Sequence, residues 1–235
     1  MIKFVVLTLF DNMFLEFIKT GVIGRAISKN LCDIKVINFR NFSLDKHRRV
    51  DFPPYGGGAG MVISPVPLDF AIKEAKKLLG DEKEIKIIYL SPRGKLLNYK
   101  LASSIASSNC NYILLCGHYE GIDERIIVKY NILEISIGDY VLTGGELASQ
   151  VLMDSVIRLI KGAIDEESLL EESHTSNLLE YPQYTKPDDF CGMMVPDILK
   201  SGNHKKIEEY RKQEAIKITK KYRPDLYQKY EKEGN

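Results

Sequence analysis

Ile137-Gly138-Asp139-Tyr140-Val141-Leu142-Thr143-Gly144-Gly145-Glu146 follows a short apolar run at 133–136 and leads into a stretch with helical spacing. Its three glycines let backbone N–H and C=O groups approach a small molecule closely, and Ile137, Tyr140 and Leu142 offer apolar walls for a flat heterocycle. Taken alone, such a stretch is also what an ordinary turn looks like. The residues around it weigh against that reading. Similar glycine and polar interruptions follow two earlier strand-like runs, at Ser91-Pro92-Arg93-Gly94 and at Gly117-His118-Tyr119-Glu120-Gly121-Ile122-Asp123. Three successive strand ends are therefore expected to converge on one pocket.

Apolar runs of strand length occur at 3–9, 34–39, 85–90, 112–116 and 133–136, separated by segments of helical spacing. That alternation predicts an α/β chain with a mostly parallel sheet covered by helices. One helix is well signposted, with Ser64 as N-cap, Pro65 and Pro67 in its first turn, Leu68, Ile72, Ala75 and Leu79 on one face, and Gly80 after it. A second is expected over 146–160, with Leu147, Val151, Val156 and Ile160 facing the sheet. A third is expected over 203–222, halted before Arg223-Pro224. The boundaries read as a first domain at 1–162, an acidic, serine-bearing linker at 163–177, and a small helical domain at 178–235.

Residues 200–235 carry 11 Lys and Arg against 6 Asp and Glu, leaving 22 against 26 for the rest, although the whole chain is only +1. A basic tail domain on a mildly acidic body suits RNA, and equally suits a solvated surface helix. Cys32, Cys110, Cys116 and Cys191 show no CxxC pair and no histidine at ligand spacing, so buried free thiols are expected rather than a metal site. No stretch reaches the roughly 20 apolar residues of a membrane span, and the amino terminus has no signal-peptide pattern, so a cytoplasmic protein is expected.

Five motifs in order, Tyr55-Gly56-Gly57-Gly58-Ala59-Gly60-Met61, Tyr89-Leu90-Ser91-Pro92, Leu115-Cys116-Gly117-His118-Tyr119-Glu120-Gly121-Ile122-Asp123-Glu124-Arg125, the 137–146 loop and Tyr181-Pro182-Gln183-Tyr184-Thr185-Lys186-Pro187, resemble the bacterial tRNA (guanine-N1)-methyltransferase family from end to end. That family belongs to the SPOUT methyltransferases. The resemblance implies a deep trefoil knot around an S-adenosylmethionine site, a feature that no hydrophobic pattern reveals and that base rates disfavour. It further implies a homodimer whose sites are shared between the knot of one subunit and the carboxyl-terminal domain of the other.

The implied reaction is methyl transfer to N1 of the guanine at tRNA position 37, just 3′ of the anticodon. That nitrogen carries a proton near neutral pH, so the site needs a carboxylate near N1 and a cation or fixed donors near O6. By resemblance Arg158 serves O6. The family's base is an aspartate in an Asp-Ser-Phe triplet where this chain has Glu172-Ser173-His174, so Glu172 takes the role, with Glu171 as the competing assignment. Tyr89, Leu90, Ser91 and Pro92 would border adenosine. Gly117 and the Ile137, Gly138, Asp139, Tyr140, Val141 and Leu142 backbone would grip adenine, while Tyr119 and Tyr140 could serve core packing as well as ligand contact. Glu120 would sit near the ribose or methionyl end, and Gly144 and Gly145 would let the chain turn around the ligand.

The 55–60 loop lacks a Gly-Lys-Ser/Thr ending and fails as a P-loop. By resemblance Tyr55, Gly58 and Gly60, with Asp51 before them and Tyr184 in the second domain, lie near the target nucleotide. Phe52-Pro53-Pro54 departs from the family's usual Asp-Arg-Pro. Lys205, Lys206, Arg211, Lys212, Lys217, Lys220 and Lys221 would meet phosphates of the tRNA anticodon stem-loop. Mg²⁺ assistance is implied for the family, but the sequence offers no dedicated metal cage. A SPOUT enzyme acting on another RNA site would lack the 55–60 and 181–187 motifs, and a dinucleotide oxidoreductase would need a GxGxxG after the first strand, which is missing.

Overall fold

Strand β6 (Cys110–Cys116) is buried at all seven positions, which is what a central strand covered on both faces requires. In the computed structural model, residues 1–165 and 177–233 are described, and the chain divides into two compact units, Met1–Ile164 and Asp165–Asn235. In the first unit β6 lies between β1 (Ile2–Thr8) and β5 (Glu84–Leu96), with β2 (Cys32–Asn38) and β7 (Leu133–Ser136) outermost. Every pairing in this five-stranded sheet is parallel. The chain is thus α/β with a mainly parallel sheet, as its apolar runs indicate.

Alternate side chains feed two separate cores because successive strand residues point to opposite faces. Phe4, Val6, Ile88 and Leu114 pack with residues of α1 (Gly21–Ser28), α3 (Tyr99–Ala106) and α5 (Glu146–Ile157). Val5, Leu7, Ile113 and Leu115 pack with Leu68 and Ile72 of α2 (Pro65–Leu79) and Ile126 of α4 (Glu124–Tyr130). A two-stranded antiparallel hairpin, β3 (Asp51–Phe52) with β4 (Val62–Ile63), brackets the 53–61 loop.

Helix α2 has the expected bounds and buried face, and Gly80 follows with φ 69°. Ser64 stands at its N-cap without a side-chain cap bond; its amide instead donates to Val50 O at 2.7 Å. Helix α5 ends at Ile157 rather than 160, and its buried stripe is Ala148, Ser149, Leu152, Met153, Val156 and Ile157. Leu147 and Val151, expected to face the sheet, lie one position around the helix and are 50% and 46% exposed.

The second unit holds a hairpin, β8 (Asp189–Phe190) with β9 (Met193–Met194), and helices α6 (Asp197–Lys200), α7 (His204–Tyr222) and α8 (Pro224–Glu233). Cys191 and Gly192 both have positive φ, the two-residue turn that suits the twist of a hairpin. Cys191 is therefore exposed, unlike Cys32, Cys110 and Cys116, which are buried as expected. Asn203 caps α7 by accepting from Lys206 N at 3.2 Å. Buried Thr219 donates to Ala215 O at 2.7 Å and accepts from Leu179 N at 2.8 Å, tying the segment ahead of the hairpin to α7. Among the described residues no helix is long and apolar enough to cross a membrane.

Candidate functional site

The first unit contains a cavity of about 350 Å³ walled by the three interrupted segments. The first wall is a bulge rather than a strand end. β5 pairs with β7 through Leu90 and Ile135, then pairs again through Lys95 and the same Ile135, so 91–94 loop out between two anchored points. Gly94 makes this possible, because a Cβ there would collide with the backbone of Glu134 and Ile135. Arg93 fastens the bulge, with its Nε 2.7 Å from Glu134 Oε2 and its Nη2 2.7 Å from Glu124 Oε2. Those hydrogen bonds, Glu134's first, push the guanidinium pKa further above its ordinary value. Tyr89 is buried just before the bulge, and burial raises its phenol pKa.

The second wall starts at Gly117, where a Cβ would strike the Tyr89 hydroxyl. The chain then turns through Gly121 N donating to His118 O at 3.0 Å, with Tyr119 in the left-handed region at φ 59°. The third wall is the 137–145 loop. Gly138, at φ 154°, lies against the Tyr140 ring, and Ser136 Oγ donates to Gly138 O at 3.0 Å. Gly145 N donates to Gly117 O at 2.9 Å, and His118 pairs with Gly144 in an isolated bridge, so the second and third walls are joined.

Tyr89, Leu90, Ser91, Pro92, Gly117, Tyr119, Glu120, Ile137, Gly138, Tyr140, Val141, Leu142, Gly144 and Gly145 all line this cavity, whereas Asp139 does not. The space and its lining, glycine backbone beside Leu90, Ile137 and Leu142, suit a flat heterocycle with a polar extension. The 55–60 loop reaches the rim: Glu120 N donates to Met61 O at 3.0 Å, and Gly60 lies against the Glu120 side chain. Asp51 pairs with Ile63 at the base of that loop, Gly58 lies within it, and Tyr55 is fully exposed.

Arg158 is not on the cavity wall. It is the C-cap of α5, thirteen residues beyond Gly145 and so about 20 Å along the helix. Tyr184 belongs to the second unit, where it lines a concavity of about 440 Å³ with Tyr181, Lys186 and Arg211. There the Arg211 guanidinium stacks 4.7 Å from the Tyr181 ring centroid. Glu172 and Glu171 lie outside the described residues. Among the described residues, no group of three or more His, Cys, Asp or Glu could hold a metal ion.

One feature of the site escapes sequence reading. Glu146 opens α5 yet is only 2% exposed, with Oε1 accepting from Thr8 Oγ1 at 2.5 Å and both oxygens 2.8 Å from His118 Nε2. An acid at a helix start reads as a solvated first-turn residue. Its two partners are 138 and 28 positions away in sequence.

Known proteins share these segments. A family model described as tRNA (Guanine-1)-methyltransferase TrmD matches residues 2–229. A tRNA (guanine-N(1)-)-methyltransferase of Malacoplasma penetrans is 51% identical over 232 residues, covering 99% of this chain and 100% of that protein. One of Clostridioides difficile is 48% identical over 228 residues, covering 97% and 98%. With the match running through all three walls of the cavity and on into the second unit, the chain belongs to the tRNA (guanine-1)-methyltransferase family.

Proposed function

We propose that this chain methylates N1 of the guanine at position 37 of tRNA, with S-adenosylmethionine as methyl donor. The observation that carries the reading is the closure of the 89–93, 117–122 and 135–145 segments on one glycine-walled cavity. When bound, S-adenosylmethionine supplies an electrophilic methyl group on its sulfonium. Gly117 and the 137–142 backbone hold the adenine through fixed donors and acceptors, while Tyr89, Leu90, Ser91 and Pro92 border the adenosine. Glu120, at the rim beside Gly60, faces both ligand and target base.

Glu172 accepts the N1 proton, and the negative charge that spreads to O6 is met by Arg158. Arg158 lies about 20 Å along α5 from the cavity's glycines, which favours a site completed by a second copy of the chain. Half-exposed Leu147 and Val151 on α5 give such a homodimer an apolar face, beside exposed Met13, whose carbonyl accepts from Gln150 Nε2 at 2.8 Å. A SPOUT trefoil knot, the cytoplasm as location, Mg²⁺ assistance, and second-unit contacts to the anticodon stem-loop through Tyr184 and the α7 lysines belong to the same reading.

The test is methyl transfer from radiolabelled S-adenosylmethionine to tRNA transcripts with guanine or adenine at position 37, using wild type, Glu172→Ala and Arg158→Ala. Label on the guanine transcript alone, lost in both variants with cofactor affinity retained, supports substrate, base and arginine together. Undiminished methylation by Glu172→Ala removes that residue from the mechanism, and label on neither transcript removes the substrate.

A further inference from the structure

We infer that Glu146 is a positioning residue for the cofactor site, acting through Thr8 and His118 to hold the two glycine walls at their working separation; this rests on the proposed S-adenosylmethionine site. The carboxylate ties its own segment to two others distant in sequence. Thr8 ends β1, His118 follows Gly117 on the second wall, and Glu146 itself follows Gly144 and Gly145 on the third. One oxygen accepts from the Thr8 hydroxyl, and both lie 2.8 Å from His118 Nε2, within reach of an N–H there.

The surroundings leave the trio little freedom. Thr8 is fully buried, and its Oγ1 also accepts from Phe10 N at 2.9 Å. The Phe10 ring meets the His118 imidazole edge to face at 4.9 Å. Gly144 is hemmed in by the His118 ring and the Glu146 carboxylate, so that a Cβ there would strike both. Gly145 sits against Cys116 Cα and Gly117 N in the same way. A carboxylate removed from water is costly unless it is hydrogen-bonded, and here Thr8 from β1 and His118 from the second wall supply its partners. The cavity is thereby preorganised, and the benefit is felt in ligand binding rather than in the chemical step.

Glu146→Gln keeps the shape but removes the negative charge and turns one of the two acceptor oxygens beside His118 Nε2 and Thr8 Oγ1 into an NH2 donor, and it is the variant to test with full-length protein. S-Adenosylhomocysteine is titrated by calorimetry, and methylation is followed at saturating tRNA over a range of S-adenosylmethionine. The expected result is about a tenfold rise in both Kd and KM, with kcat within about twofold of wild type. Glu146→Gln combined with His118→Asn is expected to lose no more than the worse single variant, because the two act as one unit. Should Glu146→Gln fail to fold, Thr8→Val carries the test with a rise of about threefold.

A lower thermal midpoint with Kd and KM unchanged overturns the inference, as do additive losses in the double variant or a loss confined to kcat. Wild type that binds no S-adenosylhomocysteine overturns the cofactor site and this inference with it. Wild type that binds while the variants bind equally well overturns the inference alone.

Discussion

The amide of Gly145 donates to the carbonyl of Gly117 at 2.9 Å, joining two loops that are 28 residues apart in sequence across the head of one cavity. Neither glycine has room for a side chain. A Cβ on Gly145 would lie 2.7 Å from Cys116 Cα and 3.0 Å from Gly117 N, both backbone atoms that cannot swing aside. Gly145→Ala is therefore expected to cost about 1–3 kcal/mol of stability and to weaken S-adenosylmethionine binding at the same time. Chemical denaturation and calorimetric titration of the one variant check both.

The Arg93 clamp predicts a different balance. Its side chain is 56% exposed, so each ion pair adds about 0–1 kcal/mol to folding. It nevertheless holds the bulge that borders the cavity. Arg93→Ala is expected to leave the thermal midpoint within a few degrees while weakening cofactor binding about two- to fivefold at low salt. The gap between variant and wild type narrows in high salt as the pairs are screened, which a titration series over ionic strength reads directly.

Asp69 predicts how stability depends on pH. Its carboxylate takes Lys129 Nζ at 2.5 Å, Lys73 Nζ at 2.7 Å and the Tyr130 hydroxyl at 2.7 Å, bridging α2 to α4. These bonds, Lys129's first, hold its pKa well below the ordinary carboxylate value. The folded state therefore favours the ionised form. The contribution is fully present above the unfolded value of about 3.9 and is lost as pH falls below it. Asp69→Asn should be less stable than wild type at pH 7 by about 1 kcal/mol once the exposure of both lysines is allowed for, and denaturation curves of the two should converge as the medium is acidified.

Mixing experiments test whether one site draws on two chains. A variant disabled at Gly145, mixed with one disabled at Tyr184 and the α7 lysines, should recover activity if the cavity of one subunit works with the second unit of the other. Each mixed dimer would then hold one intact site. No recovery after subunit exchange would place the whole site within a single chain.

The sheet was legible because its strands are uninterrupted apolar runs, and α2 because proline opens it and glycine closes it. The bulge was not, since Pro92 and Gly94 read as the end of β5 while the pairing that continues it depends on Ile135, some 40 residues later. Leu147 and Val151 misled for another reason: their i, i+4 spacing is a buried pattern, but the sheet covers the neighbouring stripe. The cavity walls were marked by glycine, which signals close approach at short range. The burial of Glu146 was not marked, because its partners come from β1 and from the loop after β6, and sequence spacing carries no trace of a hydrogen bond across 138 residues.

Because Ile135 serves both Leu90 and Lys95, the rim at 91–94 has no fixed shape until β7 docks. A ribosome making the chain finishes β5 about 40 residues before that strand emerges, and the glycines of the third wall come later still. The nascent first unit can thus bury most of its sheet while having no pocket to fill. Cofactor binding during synthesis would then report the arrival of the last strand, not the collapse that precedes it.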